Sequence, residues 1–333
     1  MAAETLATAA RSASLQARAY AAADEAGWER HCRASHCASF LHQRHFLSYH
    51  GDRWVDRSLV LCEGGRWLGV LPAAEHPTQA GVVESHPGIT YGGWVHDGAL
   101  RGERAIASMR LAMTHYARLG YRRLRYKPLP HIYQRAPAQD DLYALFRVDA
   151  QRVRCDLSAC IDLAHPLTAS ERRRRGAAKA RKAGLDFASG AQHAAALWAV
   201  LVDNLQRRHA SRPVHDLEQI QLLAARFPEQ IAFHVARLDG QVIAGTVSFR
   251  TATVVHLQYI AASEVGHAVS ALDGLMEILI AQARHAGARY FDFGTSNEDQ
   301  GRVLNEGLYR FKCEFGAGGV AYETYELDLA AAA

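Results

Sequence analysis

Tyr290-Phe291-Asp292-Phe293-Gly294-Thr295-Ser296 alternates large side chains with Asp292 and stops at a glycine. That pattern predicts a buried strand ending in a turn. A short loop then reaches Leu304-Asn305-Glu306-Gly307-Leu308-Tyr309-Arg310-Phe311-Lys312-Cys313-Glu314-Phe315-Gly316. Leu304, Leu308 and Phe311 fall at i, i+4 and i+7, which predicts a helix over 305–312 with one apolar face. Asn305 or Ser296 is placed to cap a helix start. Lys312 follows Phe311 and so sits beside the core face, either reaching out to water or held for an anion.

Working outward, one pattern occurs twice. Residues 58–63 and 67–74 read as two strands joined by Gly64-Gly65, and 232–238 and 242–250 as two strands joined by Asp239-Gly240. Both turns carry the glycine that tight hairpins favour. Each hairpin is followed by another strand and an amphipathic helix, over about 104–119 and 270–285. These helices end at Gly120 and Gly287, as a C-cap requires. Strands over 123–127 and 289–293 follow. The repeat is too long for a solenoid and predicts duplicated α/β units. The join is expected at 159–170, around Pro166. Residues 1–14 are expected to be a loose tail and 330–333 a frayed end.

A chain of 333 residues suits two domains. Its net charge of +4 is small for that length and neither demands nor excludes nucleic acid. No apolar run approaches the roughly 20 residues that span a bilayer. The Ala-rich start lacks the layout of a secretory signal. A cytoplasmic protein with reduced thiols is expected. The six cysteines show no paired metal spacing. His31, Cys32, His36 and Cys37 cluster, but this spacing does not bring four ligands to one face. Packing is their expected role, and no metal is expected.

Glu171-Arg172-Arg173-Arg174-Arg175, continuing through Lys179, Arg181 and Lys182, reads as a basic helix ending at Gly184. It is either a solvated face or a phosphate contact, with Arg175 among the candidates. No aromatic residues are interleaved to stack on bases, so DNA is not expected. Tyr91-Gly92-Gly93-Trp94 marks a strand becoming a loop, where the glycines permit close backbone approach or simply a bulge. Ser85, His86 and Tyr91 in that loop suit recognition of a sugar or peptide. No Gly-x-Ser-x-Gly elbow or persuasive triad is present.

Asp-Phe-Gly-Thr-Ser, Leu-Asn-Glu-Gly-Leu and Phe-Lys-x-x-Phe-Gly resemble the C-terminal signature of the FemAB-like N-acyltransferases, tandem members of the GNAT superfamily. Ser85-His86-Pro87-Gly88, Tyr91-Gly92-Gly93 and Lys127-Pro128-Leu129-Pro130-His131-Ile132-Tyr133 extend the resemblance over nearly the whole chain. It implies an α/β fold of two tandem GNAT-like domains, each a mixed, mostly antiparallel sheet flanked by helices. They would span 15–160, the acceptor side, and 165–329, the donor-binding and catalytic side.

The resemblance further implies a transferase moving an acyl group, other than an aminoacyl group, to a primary amine. That amine would belong to an amino sugar, a surface-glycan precursor or an amino-acid-derived metabolite. The donor would be acyl-CoA as a co-substrate or an acyl carrier protein, with no tightly bound cofactor. Aminoacyl-tRNA is an alternative donor, and a non-catalytic glycan- or peptide-binding module is a rival reading. No long heptad-patterned arm lies between 172 and 233, which weighs toward a thioester.

In GNAT sites, backbone N–H groups at a helix start hold the pyrophosphate. The matching slot here is Ser263-Glu264-Val265-Gly266-His267-Ala268. It keeps Gly266 and Ala268 but has Ser263 where the family has Arg or Gln, which weighs against ordinary acetyl-CoA use. The first half has no comparable slot and is expected to bind no CoA. Lys312 matches the family lysine that stabilises charge near the reacting carbonyl, with Phe311 beside it. Asp292 and Glu306 are the carboxylates placed to orient or deprotonate an amine, and Tyr259 a possible proton donor to the leaving group. His86, Tyr91, Gly92, Lys127, Tyr133, Phe311, Ser296 and Asn305 are the expected substrate contacts, and Arg135 lies just past the same strand as Lys127 and Tyr133.

Overall fold

The computed structural model describes residues 14–209 and 212–330. The expected loose start lies outside these residues apart from Ser14, and the expected frayed end apart from Ala330. The first half begins with β1 (Leu15–Ala19), α1 (Glu25–Ala34) and α2 (Arg44–Leu47), then the hairpin β2 (Leu59–Glu63) and β3 (Arg66–Leu71). β4 (Ala74–Glu75), β5 (Val82–Glu84), α3 (Glu103–Arg118), β6 (Arg123–Tyr126) and α4 (Asp140–Arg147) follow. The long strand β7 (Gln151–Asp162) leads into α5 (Glu171–Lys182), β8 (Asp186–Ser189), α6 (Ala194–His209) and α7 (Leu217–Arg226). Then come β9 (Ile231–Leu238), β10 (Gln241–Arg250), β11 (Val254–Ala262), α8 (Glu264–Ala268), α9 (Ala271–His285) and β12 (Tyr290–Thr295). The described chain ends with β13 (Asn297–Glu298), β14 (Val303–Leu304), α10 (Glu306–Cys313) and β15 (Gly318–Asp328).

Both expected hairpins form, and their turns place Gly64, Gly65, Asp239 and Gly240 at positive φ, the conformation a two-residue hairpin turn needs. The expected strand over 67–74 is interrupted. Pro72 has no N–H for a ladder, so β3 stops at Leu71 and β4 joins a different sheet. β1, β2 and β3 form a separate three-stranded sheet, and ten strands form one large sheet in the order β4-β5-β6-β15-β7-β12-β11-β10-β9-β8. Its neighbours run antiparallel except β5–β6 and β11–β12. Each parallel pair brackets a helix, α3 in the first half and α9 in the second. The fold is thus a tandem of two βαβ-containing halves in one mixed, mostly antiparallel sheet.

Two placements depart from the local reading. Residues 159–162 belong to β7, so the break between halves is confined to the loop before α5. The final strand β15 returns to lie between β6 and β7. The halves also share a core: Phe40, Phe46, Tyr91, Ile132 and Tyr133 pack in one cluster with Trp198, Leu201, Phe233 and Phe249. Burial of this size makes the junction an apolar core rather than a wet seam.

Candidate active site

Parallel strands β11 and β12 pair only through Val254–Tyr290, Val255–Phe291 and His256–Asp292. Beyond that point they part, β11 running on to Ala262 and β12 to Thr295. A cavity of about 1150 Å³ fills the wedge between them. Parted strands leave backbone N–H and C=O groups without a ladder partner, and a ligand in the wedge can take them.

One end of the wedge is basic. Arg172, Arg175 and Lys179 of α5 reach its wall beside Gly266 and Ser270. α5 begins at Ser170, whose Oγ accepts from Arg173 N, and the first-turn Arg173 is buried. Its guanidinium lies 2.7 Å from Asp273 and 3.0 Å from Glu314, so it braces α5 against α9 and α10. Arg172, Arg175 and Lys179 remain exposed on the same helix. Ser263 caps α8 by accepting from Gly266 N at 3.1 Å, so that amide is already used. A Cβ on Gly266 would lie 2.3 Å from the Ile243 carbonyl, so glycine is required there by close backbone packing. Gly266 lines the cavity, while Ser263 and Ala268 do not.

At the other end Lys312 also lines the cavity, with Phe311 and Asn305. Lys312 is only 4% exposed. It neither reaches out to water nor waits without partners: Nζ donates to Gly294 O at 2.9 Å and Thr295 O at 2.7 Å. A lysine has three N–H donors, so one remains. Burial pulls its pKa down to about 8, with the charge of Asp292 opposing. The face of α10 differs from the expected one, because Leu304 belongs to β14 and Leu308 is 40% exposed. Asn305 caps α10 by accepting from Leu308 N. Ser296 is no cap: it is buried in the loop after β12, and its Oγ has no hydrogen-bond partner among the described residues.

Asp292 is wholly buried and saturated with donors. Oδ2 accepts from His256 Nδ1 at 2.7 Å, Tyr322 OH at 2.7 Å and Tyr133 OH at 3.1 Å. Oδ1 accepts from Ser158 Oγ at 2.5 Å and Gly294 N at 3.3 Å. Burial alone would raise the Asp292 pKa, but its contacts with His256, Ser158 and Tyr322 outweigh that and hold the carboxyl below the usual range. His256 lines the cavity and was missed by the sequence reading. One histidine on a strand among eighteen in the chain gives no local signal. Gly294 joins these groups. It sits at φ 76°, its carbonyl accepts from Lys312, its N–H donates to Asp292, and a Cβ there would lie 3.2 Å from His256 Cε1.

The other expected residues fall outside the wedge. Glu306 is exposed and off the cavity wall. Tyr259 turns to the opposite face of β11, where its hydroxyl meets His215 Nδ1 at 2.6 Å and its ring packs on Trp198. The reason is a bulge. Val247 pairs with Tyr259 but Ser248 with Leu257, leaving Gln258 as the extra residue and reversing the alternation. Lys127 Nζ donates to His86 O and Ile89 O and pairs with Glu84 at 3.0 Å, pinning the loop that follows β5. His86 is buried, and burial lowers its pKa well below normal. Gly92 lets two backbone segments touch, since a Cβ would lie 2.1 Å from Ser85 O. Tyr91 packs on Tyr133, and its hydroxyl donates to Ser39. These residues shape the loop that brings Thr90 to the cavity wall, where Thr90 is the sole first-half member among the described residues. Arg135 is exposed and away from the wedge.

Cys32 and Cys37 are buried free thiols bonded to backbone carbonyls, and burial pushes Cys37 up to about 12. Among the described residues no group of three or more His, Cys, Asp or Glu side chains is arranged to hold a metal. No described helix is long and apolar enough to cross a membrane.

The sequence model of the acetyltransferase (GNAT) domain family matches residues 169–312. No curated protein sequence matches the chain. Similar solved structures include FemX, with 10% identity, 94% of this chain and 97% of that chain covered, and a TM-score of 0.68. The C-terminal domain (DUF2156) of a putative lysylphosphatidylglycerol synthetase from Agrobacterium fabrum follows with 15% identity, 80% and 82% coverage and a TM-score of 0.55. A tandem GNAT protein from the clavulanic acid biosynthesis pathway has 12% identity, 95% and 99% coverage and a TM-score of 0.51. At such identities the likeness is one of fold alone. Residues 169–312 thus resemble the acetyltransferase (GNAT) domain family, in a chain whose fold is shared with FemX and with a tandem GNAT protein.

Proposed function

We propose that the protein is an N-acyltransferase that takes an acyl group from an acyl thioester, acyl-CoA or an acyl carrier protein, and places it on a primary amine. The observation that carries this is the wedge between β11 and β12, basic at one end and holding Lys312 at the other. A phosphate-bearing carrier fits the Arg172, Arg175 and Lys179 end. Its pantetheine arm lies along the parted strand edges, as an extended chain adds to a sheet edge. The thioester then reaches the Lys312 end, where an ammonium with one N–H still free supports the negative charge that builds on the carbonyl oxygen. The acceptor enters from the side of Thr90 and the first half. Its class on this reading is an amino sugar, a surface-glycan precursor or an amino-acid-derived amine.

A second donor class has one observation in its favour. The fold is shared with a putative lysylphosphatidylglycerol synthetase, so an aminoacyl donor on tRNA is the alternative the same wedge must be tested against. Between α5 and β9 the described chain holds β8, α6 and α7 and no long paired helical arm, which favours the thioester. The test is binding and thiol release with acetyl-CoA and longer acyl-CoAs against a small panel of amines. Saturable binding with thiol release supports the reading. A folded protein that ignores every acyl-CoA contradicts it for acyl-CoA and leaves the carrier-protein and tRNA donors to be assayed.

A further inference from the structure

We propose that His256 is the general base of this transfer, with Asp292 as the residue that poises it. The assignment rests on the acyl-transfer reading above. It comes from elimination and from geometry together. An attacking amine must lose protons, and the two carboxylates nearest the signature residues are unsuited. Glu306 is exposed and off the cavity. Asp292 is wholly buried, and five donors occupy its two oxygens. Tyr259 faces away. Among the described residues two histidines line the cavity: His267 on α8, next to Gly266 at the basic end, and His256 at the inner end where β11 and β12 separate, and His256 is the one bonded to Asp292.

The hydrogen bond to Asp292 fixes the tautomer. Asp292 holds a carboxylate, so Nδ1 carries the proton and Nε2 keeps its lone pair. Such a pair is oriented by its carboxylate rather than relayed through it. The carboxylate is held in turn by Tyr133 from the first half, Tyr322 from β15 and Ser158 from β7, so its position depends on three separate segments. The titratable groups facing Asp292 are His256, Tyr133, Tyr322, Tyr91, Cys160 and Lys312. Burial pushes the tyrosines and Cys160 upward, so they stay neutral, and Lys312 is the cation in this group.

In the step itself the amine nitrogen forms a C–N bond to the thioester carbonyl carbon, and the C–S bond breaks. Of the two protons an ammonium loses, one passes to His256 Nε2 and then to solvent. The other ends on the departing thiolate, giving free thiol.

The test combines kinetics with the state of the ring. Thiol release from acetyl-CoA is followed with glucosamine, lysine and putrescine as acceptor probes, in wild type, His256→Gln and Asp292→Asn. Nitrogen-15 NMR reports the His256 tautomer. In wild type the proton is expected on Nδ1. His256→Gln is expected to lower kcat by roughly 10²–10⁴-fold, with donor binding and Tm kept. Asp292→Asn presents an amide N–H to Nδ1 and is expected to move the proton to Nε2, with a loss in kcat and little change in donor KM. Wild-type turnover with an equally active His256→Gln overturns the base while leaving the transfer reading intact. A wild-type ring protonated on Nε2 overturns it as well. A wild type that turns over none of the probes, yet carries Nδ1–H, counts against the acyl-CoA reading and removes the step His256 was assigned to.

Discussion

Lys312 Nζ donates to the carbonyl oxygens of Gly294 and Thr295, at 2.9 and 2.7 Å, which anchors a buried cation at the end of the strand that carries Asp292. Burial draws its pKa from 10.5 to about 8. The charged form is therefore disfavoured in the folded protein. Between about pH 8 and 10.5 the unfolded chain holds this proton and the folded one releases it, so this group's contribution to stability rises with pH across that window. At neutral pH the buried charge is a cost.

Lys312→Met should thus leave Tm at pH 7 unchanged or higher while lowering kcat by roughly 10²–10³-fold, the loss typical of one oxyanion donor. In wild type the rate should fall as pH rises through about 8, where the ammonium is lost. Melting curves and pH–rate profiles of both proteins check this. A parallel loss of stability and rate would mean that Lys312 is only structural.

Gly294→Ala tests the convergence at the end of β12. The residue is at φ 76°, and its Cβ would stand 3.2 Å from the His256 ring. Strain of about 1–3 kcal/mol is expected, together with a fall in kcat at temperatures where the variant is fully folded. Gly92→Ala is the control. Its Cβ would meet the Ser85 backbone at 2.1 Å, at a residue off the cavity wall but in the loop that carries Thr90 to it, so stability should fall, and any effect on the folded fraction should show in acceptor KM rather than in kcat.

The Tyr133 and Tyr322 hydroxyl oxygens lie 2.8 Å apart, and both donate to Asp292 Oδ2. Each Tyr→Phe change should cost about 1.5–3 kcal/mol, the range for a hydrogen bond to a charged group. Because they share one acceptor, the double variant should lose measurably less or more than the sum. Urea unfolding of the four proteins gives the coupling. Strict additivity would mean the two hydroxyls act independently of Asp292.

Much of the frame was legible in the sequence because its signals are local. The hairpin glycines and the capping glycines Gly120 and Gly287 each fix their own few residues, and together they revealed the repeat. β15 was not legible between β6 and β7, since that pairing joins residues about two hundred positions apart. Lys312 was found through its neighbours, but its burial was not foreseen: the helix presents Lys312 to the core in place of Leu308. Tyr259 was misplaced by a single bulged residue, Gln258. His256 left no trace, because its setting is made by Asp292 thirty-six residues later and, through it, by Tyr133.

The basic end of the wedge predicts charge-dependent donor affinity. Arg175→Glu with Lys179→Glu should raise KM for acyl-CoA about tenfold or more, one charge-assisted contact being worth at least 1.4 kcal/mol. The same pair should leave KM for an acyl-pantetheine, which lacks the nucleotide phosphates, unchanged. Equal effects on both donors would place the phosphates elsewhere.

Calorimetric titration of the full chain with acetyl-CoA tests the central claim most directly. The account predicts saturable one-to-one binding that weakens with salt and with the α5 double variant, and a matching rise in Tm, about 2.7 kcal/mol of stabilisation at a hundred times Kd. No heat and no Tm shift with acetyl-CoA or any longer acyl-CoA, from a protein shown to be folded, would contradict the acyl-CoA donor.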